Sequence, residues 1–141
     1  MVGYSGTPLP KKLGIKEAHR LALLGAPEGF DATLGELPDG VEVRRSARGN
    51  ADVVVYFTTS RAAFRKRLPA LGRAIFPDGG LWIAWPKRAS KVPTDMTEDV
   101  VREVALPLGL VDNKVCAIDE TRSGLRIVWR LEHRGGPSAP H

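Results

Sequence analysis

The stretch that most constrains this chain runs from Asp52 to Trp85. Ala51-Asp52-Val53-Val54-Val55-Tyr56-Phe57 is an apolar, β-branched and aromatic run, too short for a helix and without the alternation of a half-exposed strand. It predicts a strand buried on both faces. Thr58-Thr59-Ser60 then offers helix caps, and Phe64, Leu68, Leu71 and Ile75 fall at helical spacing. Pro77-Asp78-Gly79-Gly80 breaks the chain, and Leu81-Trp82-Ile83-Ala84-Trp85 is a second apolar strand. Strand, helix and strand in this order make a βαβ unit, which demands a parallel sheet covered by helices.

The flanking segments extend the sheet. Thr7-Pro8 reads as an N-cap with proline at the first helical position, leading a short helix through Leu9 and Leu13 to Gly14. His19 to Gly25 is another apolar strand, and Ala26 to Phe30 is the loop at its carboxyl end. Phe30, Leu34 and Leu37 predict a short covering helix, which Pro38-Asp39-Gly40 turns into an outer strand at Val41 to Arg44. Pro69 inside the central helical pattern predicts a kink or restart near Leu68. Asp95 with Glu98 resembles a capping box for a helix through Met96, Val100, Val104 and Leu108, ended by Gly109. Leu110 to Ile118 and Leu125 to Leu131 are close enough to form an antiparallel hairpin, with Leu125, Ile127, Trp129 and Leu131 on its core face. The expectation is therefore an α/β fold: a Rossmann-like three-layer sandwich with a mostly parallel sheet of about six strands and a C-terminal antiparallel hairpin. At 141 residues the chain is read as a single domain over 1–133. Met1 to Gly6 is expected to be loosely held, and the Gly- and Pro-rich tail from Arg134 disordered.

Composition narrows the function classes. No apolar stretch approaches the roughly 20 residues of a membrane span and no signal-peptide pattern opens the chain, so a cytoplasmic location is expected. Cys116 is the single cysteine; an intrachain disulfide and a cysteine metal cluster are excluded, and a buried, inert thiol is expected. The three histidines, His19, His133 and His141, have no metal-ligand spacing. There is no G-x-S-x-G elbow, no phosphate-binding Walker loop and no paired-carboxylate motif. Charge is unevenly placed: residues 44–91 hold eleven Lys and Arg against Asp52 and Asp78, net +9 in a chain of net +5. Such an excess suits an anionic small molecule, an acidic protein surface or nucleic acid, and it equally suits a solvated surface.

Asp52-Val53-Val54-Val55, the helix after it and Phe76-Pro77-Asp78-Gly79-Gly80-Leu81-Trp82-Ile83 resemble the central strand, helix and "p-G-G" turn of the class I S-adenosylmethionine-dependent methyltransferases. Leu108-Gly109-Leu110 before a hairpin is similar to that family's C-terminal end, and the likeness covers about two thirds of the chain. Gly3 to Leu9 and Leu24 to Phe30 also resemble small bacterial families without an assigned function. The methyltransferase resemblance implies a glycine-rich cofactor loop after the first strand and an acidic residue after the second. Here the loop Leu24-Gly25-Ala26-Pro27-Glu28-Gly29 keeps two glycines around Pro27, the second strand ends in Arg44 and Arg45, and a strand and helix are missing before Asp52.

In open α/β sheets ligands sit beyond the carboxyl ends of the strands where strand order reverses. If the order follows the resemblance, that point lies between Gly25 and Phe57. The candidate ligand-binding residues are Gly25, Pro27, Glu28, Gly29, Thr58, Thr59, Ser60, Arg61, Trp85, Lys87 and Arg88. The helix N-terminus after Ser60 is expected to offer amide donors to a phosphate or carboxylate; Trp85 is weighed between core packing and stacking on a base. With no catalytic set, the leading expectation is a non-enzymatic module without a cofactor, binding an anionic ligand (a nucleotide or phosphorylated metabolite) or a protein partner. A divergent methyltransferase using S-adenosylmethionine is the alternative, and nucleic-acid binding through residues 44–91 a further one.

Overall fold

Alternating burial of short β-branched runs builds one sheet with two apolar faces. The computed structural model describes residues 6–136; the expectations for Met1 to Ser5 and for the tail beyond Gly136 lie outside the described residues. The strands are β1 (Arg20–Leu24), β2 (Glu42–Arg44), β3 (Val53–Phe57), β4 (Gly80–Pro86), β5 (Leu110–Ala117) and β6 (Arg122–Trp129). They form a six-stranded sheet in the order β2-β1-β3-β4-β6-β5. β1 is parallel to β2 and to β3, and β3 is parallel to β4. β6 runs antiparallel to both β4 and β5. The expected α/β Rossmann-like sheet with its terminal hairpin is thus present, and strand order reverses between β1 and β3.

Val54 and Tyr56 of β3 point to one face, where α3 (Arg61–Ile75) and α4 (Glu98–Ala105) cover them through Phe64, Leu68, Leu71, Val101 and Val104. Val53, Val55 and Phe57 point to the other, beneath Leu13 and Ile15 beyond α1 (Leu9–Lys12) and Phe30 and Leu34 of α2 (Phe30–Leu34). Each layer is pinned by a tryptophan: Trp82 Nε1 donates to the Leu13 carbonyl at 3.0 Å, and Trp129 Nε1 to the Gly72 carbonyl at 2.8 Å. Both indoles are buried, so each bond satisfies a donor that would otherwise cost about 1–3 kcal/mol.

Several local expectations are corrected. α1 starts at Leu9 with Pro8 as its cap residue, so Thr7 makes no cap. α3 runs uninterrupted through Pro69: the missing main-chain bond falls beside the exposed turn Arg65 to Arg67, while Leu68 and Leu71 hold the helix on the sheet. α4 is shorter than its pattern. Thr97 caps it by accepting from the Val100 amide at 3.1 Å, and after Ala105 a 3-10 turn carries Leu106-Pro107-Leu108 to Gly109 at φ 96°, because Pro107 cannot continue the helical ladder. Leu131 lies past the end of β6 and is 78% exposed, and Leu131–Arg134 forms a short helix, α5, in place of the strand end expected at Leu131. Arg134 Nε donates to the Trp129 carbonyl at 2.8 Å and holds that turn.

The turn from α3 into β4 is set by close approach. A Cβ on Gly79 would stand 2.8, 2.9 and 3.0 Å from the carbonyl oxygens of Ala51, Ile75 and Asp52, so only glycine fits there. Among the described residues no helix is long and apolar enough to cross a membrane.

Candidate functional site

The reversal of strand order between β1 and β3 leaves a gap at their carboxyl ends. In it lies a cleft of about 400 Å³ lined by Gly25, Pro27, Thr58, Thr59, Ser60 and Arg122, with Phe57, Ala63, Pro86 and Val92 as apolar walls. Gly25 holds φ 70°, and a Cβ there would meet the Phe57 carbonyl at 3.0 Å. Gly29 holds φ 83° with open space where its Cβ would be. The expected crevice therefore exists, and five of the candidate residues line it. Its volume falls within the usual range of small-molecule sites.

The polar groups around it are largely spoken for. Ser60 Oγ accepts from the Ala63 amide at 3.1 Å, and Asp95 Oδ1 accepts from the Arg61 amide at 2.7 Å. The N-terminus of α3 thus carries its own carboxylate, which corrects the expectation of amide donors open to a phosphate; the Asp95 expected to open α4 caps α3 instead. Thr94 Oγ1 and the Asp95 amide both donate to the Thr59 carbonyl, clamping the 87–95 loop to the β3–α3 junction. Thr58 Oγ1 accepts from the Ser60 amide at 3.1 Å.

The remaining candidates are dispersed. Arg61 turns away to Glu103, Nη2 to Oε2 at 3.1 Å. Trp85 is buried with Tyr56 and Met96 in the α3/α4 core, which rules it out as a stacking platform. The Lys87 amide donates to the Thr121 carbonyl, and Arg88 opens an exposed 3-10 turn; neither lines the cleft. Glu28 is exposed between two residues of the loop and makes no hydrogen bond or ion pair among the described residues. At the end of β2, Arg44 folds back on the carbonyls of Arg48 and Asn50, and Arg45 Nη2 donates to both carboxylate oxygens of Asp31 at 3.0 and 3.1 Å. Both cations are engaged by their own neighbourhood.

Arg122 was absent from the sequence-based set. Asp119 positions it: Oδ1 accepts the amides of Thr121 and Arg122, and Oδ2 pairs with Arg122 Nη1 at 2.9 Å. The guanidinium lies 6.0 Å over the Phe57 ring. The turn Asp119-Glu120-Thr121-Arg122 carried the signal, an aspartate that can cap its own turn, but its position against Phe57 depends on the pairing of β6 with β4. Among the described residues no group of His, Cys, Asp and Glu could hold a metal ion.

No family model and no curated protein matches the chain. Solved structures do. A protein assigned to the type 11 methyltransferases of Sulfolobus solfataricus is similar at TM-score 0.64 and 14% identity, over 94% of this chain and 95% of that one. A SAM-dependent methyltransferase from Aquifex aeolicus matches at TM-score 0.54 and 18% identity, over 83% and 85%. Magnesium protoporphyrin IX methyltransferase from Synechocystis PCC 6803, solved with bound SAM, matches at TM-score 0.55 and 10% identity, over 86% and 74%. The fold is that of the class I methyltransferases. These neighbours overturn the expectation of a non-enzymatic module without a cofactor and favour the divergent-methyltransferase reading. The altered loop and the arginines of β2 do not remove the carboxyl-end crevice, which survives without either family feature.

Proposed function

We propose that the chain is a divergent methyltransferase on a reduced form of the fold, taking S-adenosylmethionine in the crevice between β1 and β3. The observation that supports this is the coincidence of the 400 Å³ cleft with the strand-order reversal in a methyltransferase-like sheet. The group fits the cleft in size. Gly25 and Pro27 of the loop line it, Gly25 without a side chain, and Ala63, Pro86 and Val92 supply apolar walls. It departs from the family at β2, where no carboxylate is placed for the ribose; Glu28 is the carboxylate of the loop and is assigned that contact. Bound there, the cofactor supplies an electrophilic methyl carbon. The chain's part is to hold donor and acceptor in line, the kind of positioning that itself lowers a barrier by several kcal/mol. Lys87, Arg88 and Lys91 give the neighbouring loop a positive rim, which favours an acceptor carrying negative charge.

Isothermal titration with S-adenosylmethionine and with S-adenosylhomocysteine tests this. Saturable binding is expected, and Ala63→Phe, which fills the cleft, should remove it. Binding of neither compound by the native chain would sink the proposal.

A further inference from the structure

A second cavity lies at the opposite edge of the sheet. About 590 Å³ in volume, it opens at the amino ends of β3 and β4, between the segment after α1 and the β5–β6 hairpin. Lys12, Lys16, Arg20, Lys114 and Arg126 line it. All five lie outside the basic segment 44–91, three before it in sequence and two after; only the fold brings them together. Two carboxylates share the cavity. Asp52 is occupied by Arg20, accepting its amide at 2.7 Å and facing its Nε at 3.6 Å. Asp78 is exposed on the turn before β4.

Arg126 is the centre of this basin. Its guanidinium is half-buried and makes no hydrogen bond or ion pair among the described residues. Burial, and after it the charge of Arg134, pull its proton affinity below the ordinary arginine value, as befits a cation recessed without a counter-charge. Two features of the sheet hold it there at a cost. Arg126 stands directly opposite Lys114 in the β5–β6 register, and like charges opposite one another destabilise a strand pair. Gly80 makes room for it: a Cβ at Gly80 would come within 2.6 Å of Nη2 and 2.7 Å of Cζ. Glycine inside a strand sacrifices packing and chain entropy. Lys114 is oriented by donating Nζ to the Lys12 carbonyl at 3.1 Å. An anion seated between them would offset both costs.

We infer that this basin is a binding site for a phosphate group of a small molecule, held by Arg126 with Lys114 and separate from the cofactor crevice. A planar guanidinium and a flanking ammonium suit the tetrahedral, multiply charged oxyanion. The assignment stands independently of the methyl-transfer reading, because the two sites lie at opposite ends of the parallel strands.

The test is calorimetric titration of the full chain with inorganic phosphate and pyrophosphate at constant ionic strength, beside chloride. Saturable binding is expected. Arg126→Gln should weaken it by about tenfold or more, the loss of one charge-assisted contact, and Lys114→Gln by about threefold. Gly80→Ala, which keeps every charge but displaces the guanidinium, should weaken it nearly as much as Arg126→Gln. No saturable binding by the native chain, or unchanged affinity in Arg126→Gln and Gly80→Ala, overturns the site. Should Arg126→Gln fail to fold, unchanged affinity in Lys114→Gln, on an exposed edge strand, overturns it equally. Binding of a short oligonucleotide without pyrophosphate binding overturns the small-molecule assignment. Titration with S-adenosylmethionine should be unaffected by all three variants, so failure of one site is distinguishable from failure of the other.

Discussion

The two ends of the parallel strands handle charge in opposite ways. At the carboxyl ends, the donors at the mouth of α3 and on Arg122 have protein partners: Asp95 on the Arg61 amide, Ser60 on the Ala63 amide, Asp119 on Arg122, Glu103 on the Arg61 side chain. At the amino ends, Arg126 is left without a partner among the described residues and faces Lys114 across the hairpin. A neutralised crevice suits a ligand held by shape, backbone and a few contacts, which describes a nucleoside-like cofactor better than a free phosphate. An uncompensated basin suits an anion. The rule that locates ligands at strand carboxyl ends predicts where a fold has space; which charges remain unpaired decides what the space accepts.

The comparison can be broken or sharpened by substitution. The largest effect is expected at Gly79, whose missing Cβ faces three fixed carbonyl oxygens: Gly79→Ala should cost about 3 kcal/mol in urea unfolding. Gly80→Ala, one residue on, meets only the end of Arg126 and should stay within about 1 kcal/mol of the native chain. Equal losses at the two positions would mean that the guanidinium is as rigid as backbone. Asp95→Ala removes the carboxylate from the start of α3 and should cost about 1–2 kcal/mol by thermal or urea unfolding. It also bares the Arg61 amide, so a gain of phosphate affinity at the carboxyl edge in this variant would erase the contrast between the two ends. Glu28→Gln should lower S-adenosylmethionine affinity by about fivefold, in keeping with one hydrogen bond to a charged group, with stability changed by less than about 0.5 kcal/mol.

The smallest expected effect uses Cys116, which is half-buried rather than fully buried as its sequence context suggested. Burial raises its thiol pKa, while Lys12 and Lys114 pull it down. A phosphate beside Lys114 would cancel part of that pull, raise the pKa further and reduce the thiolate at a given pH. Alkylation by iodoacetamide at pH 8 should therefore slow by about twofold in phosphate relative to chloride. An unchanged rate would place the bound anion away from Lys114.

Much of the fold was legible because it rests on short-range chemistry. Val53 to Phe57 and Leu81 to Trp85 are too apolar for any place but the middle of a sheet, and the spacing of Phe64, Leu68, Leu71 and Ile75 fixes the helix between them. The crevice follows from topology, and Gly25 and Thr58 to Ser60 line it. What could not be read was which long side chain reaches where. Arg61 and Trp85 are near the crevice in sequence, but one is drawn to Glu103 and the other into the core. Asp95 precedes α4 by only three residues, yet its carboxylate serves a helix 34 residues earlier. The amino-edge basin combines residues from both ends of the chain, and no local pattern joins Lys12 to Lys114 and Arg126.

The indole contacts have an optical consequence. Trp82 senses the layer containing Leu13 and α2, and Trp129 the layer of α3 and α4, with the sheet between them. Both rings are shielded from water, so each should emit at short wavelength and shift to the red when its own layer opens. In a Trp85→Phe background, needed because that third indole shares the α3/α4 layer, adding Trp82→Phe or Trp129→Phe leaves one indole whose emission follows one side of the sandwich. Superimposable melting curves would show the two layers coming apart as one cooperative body.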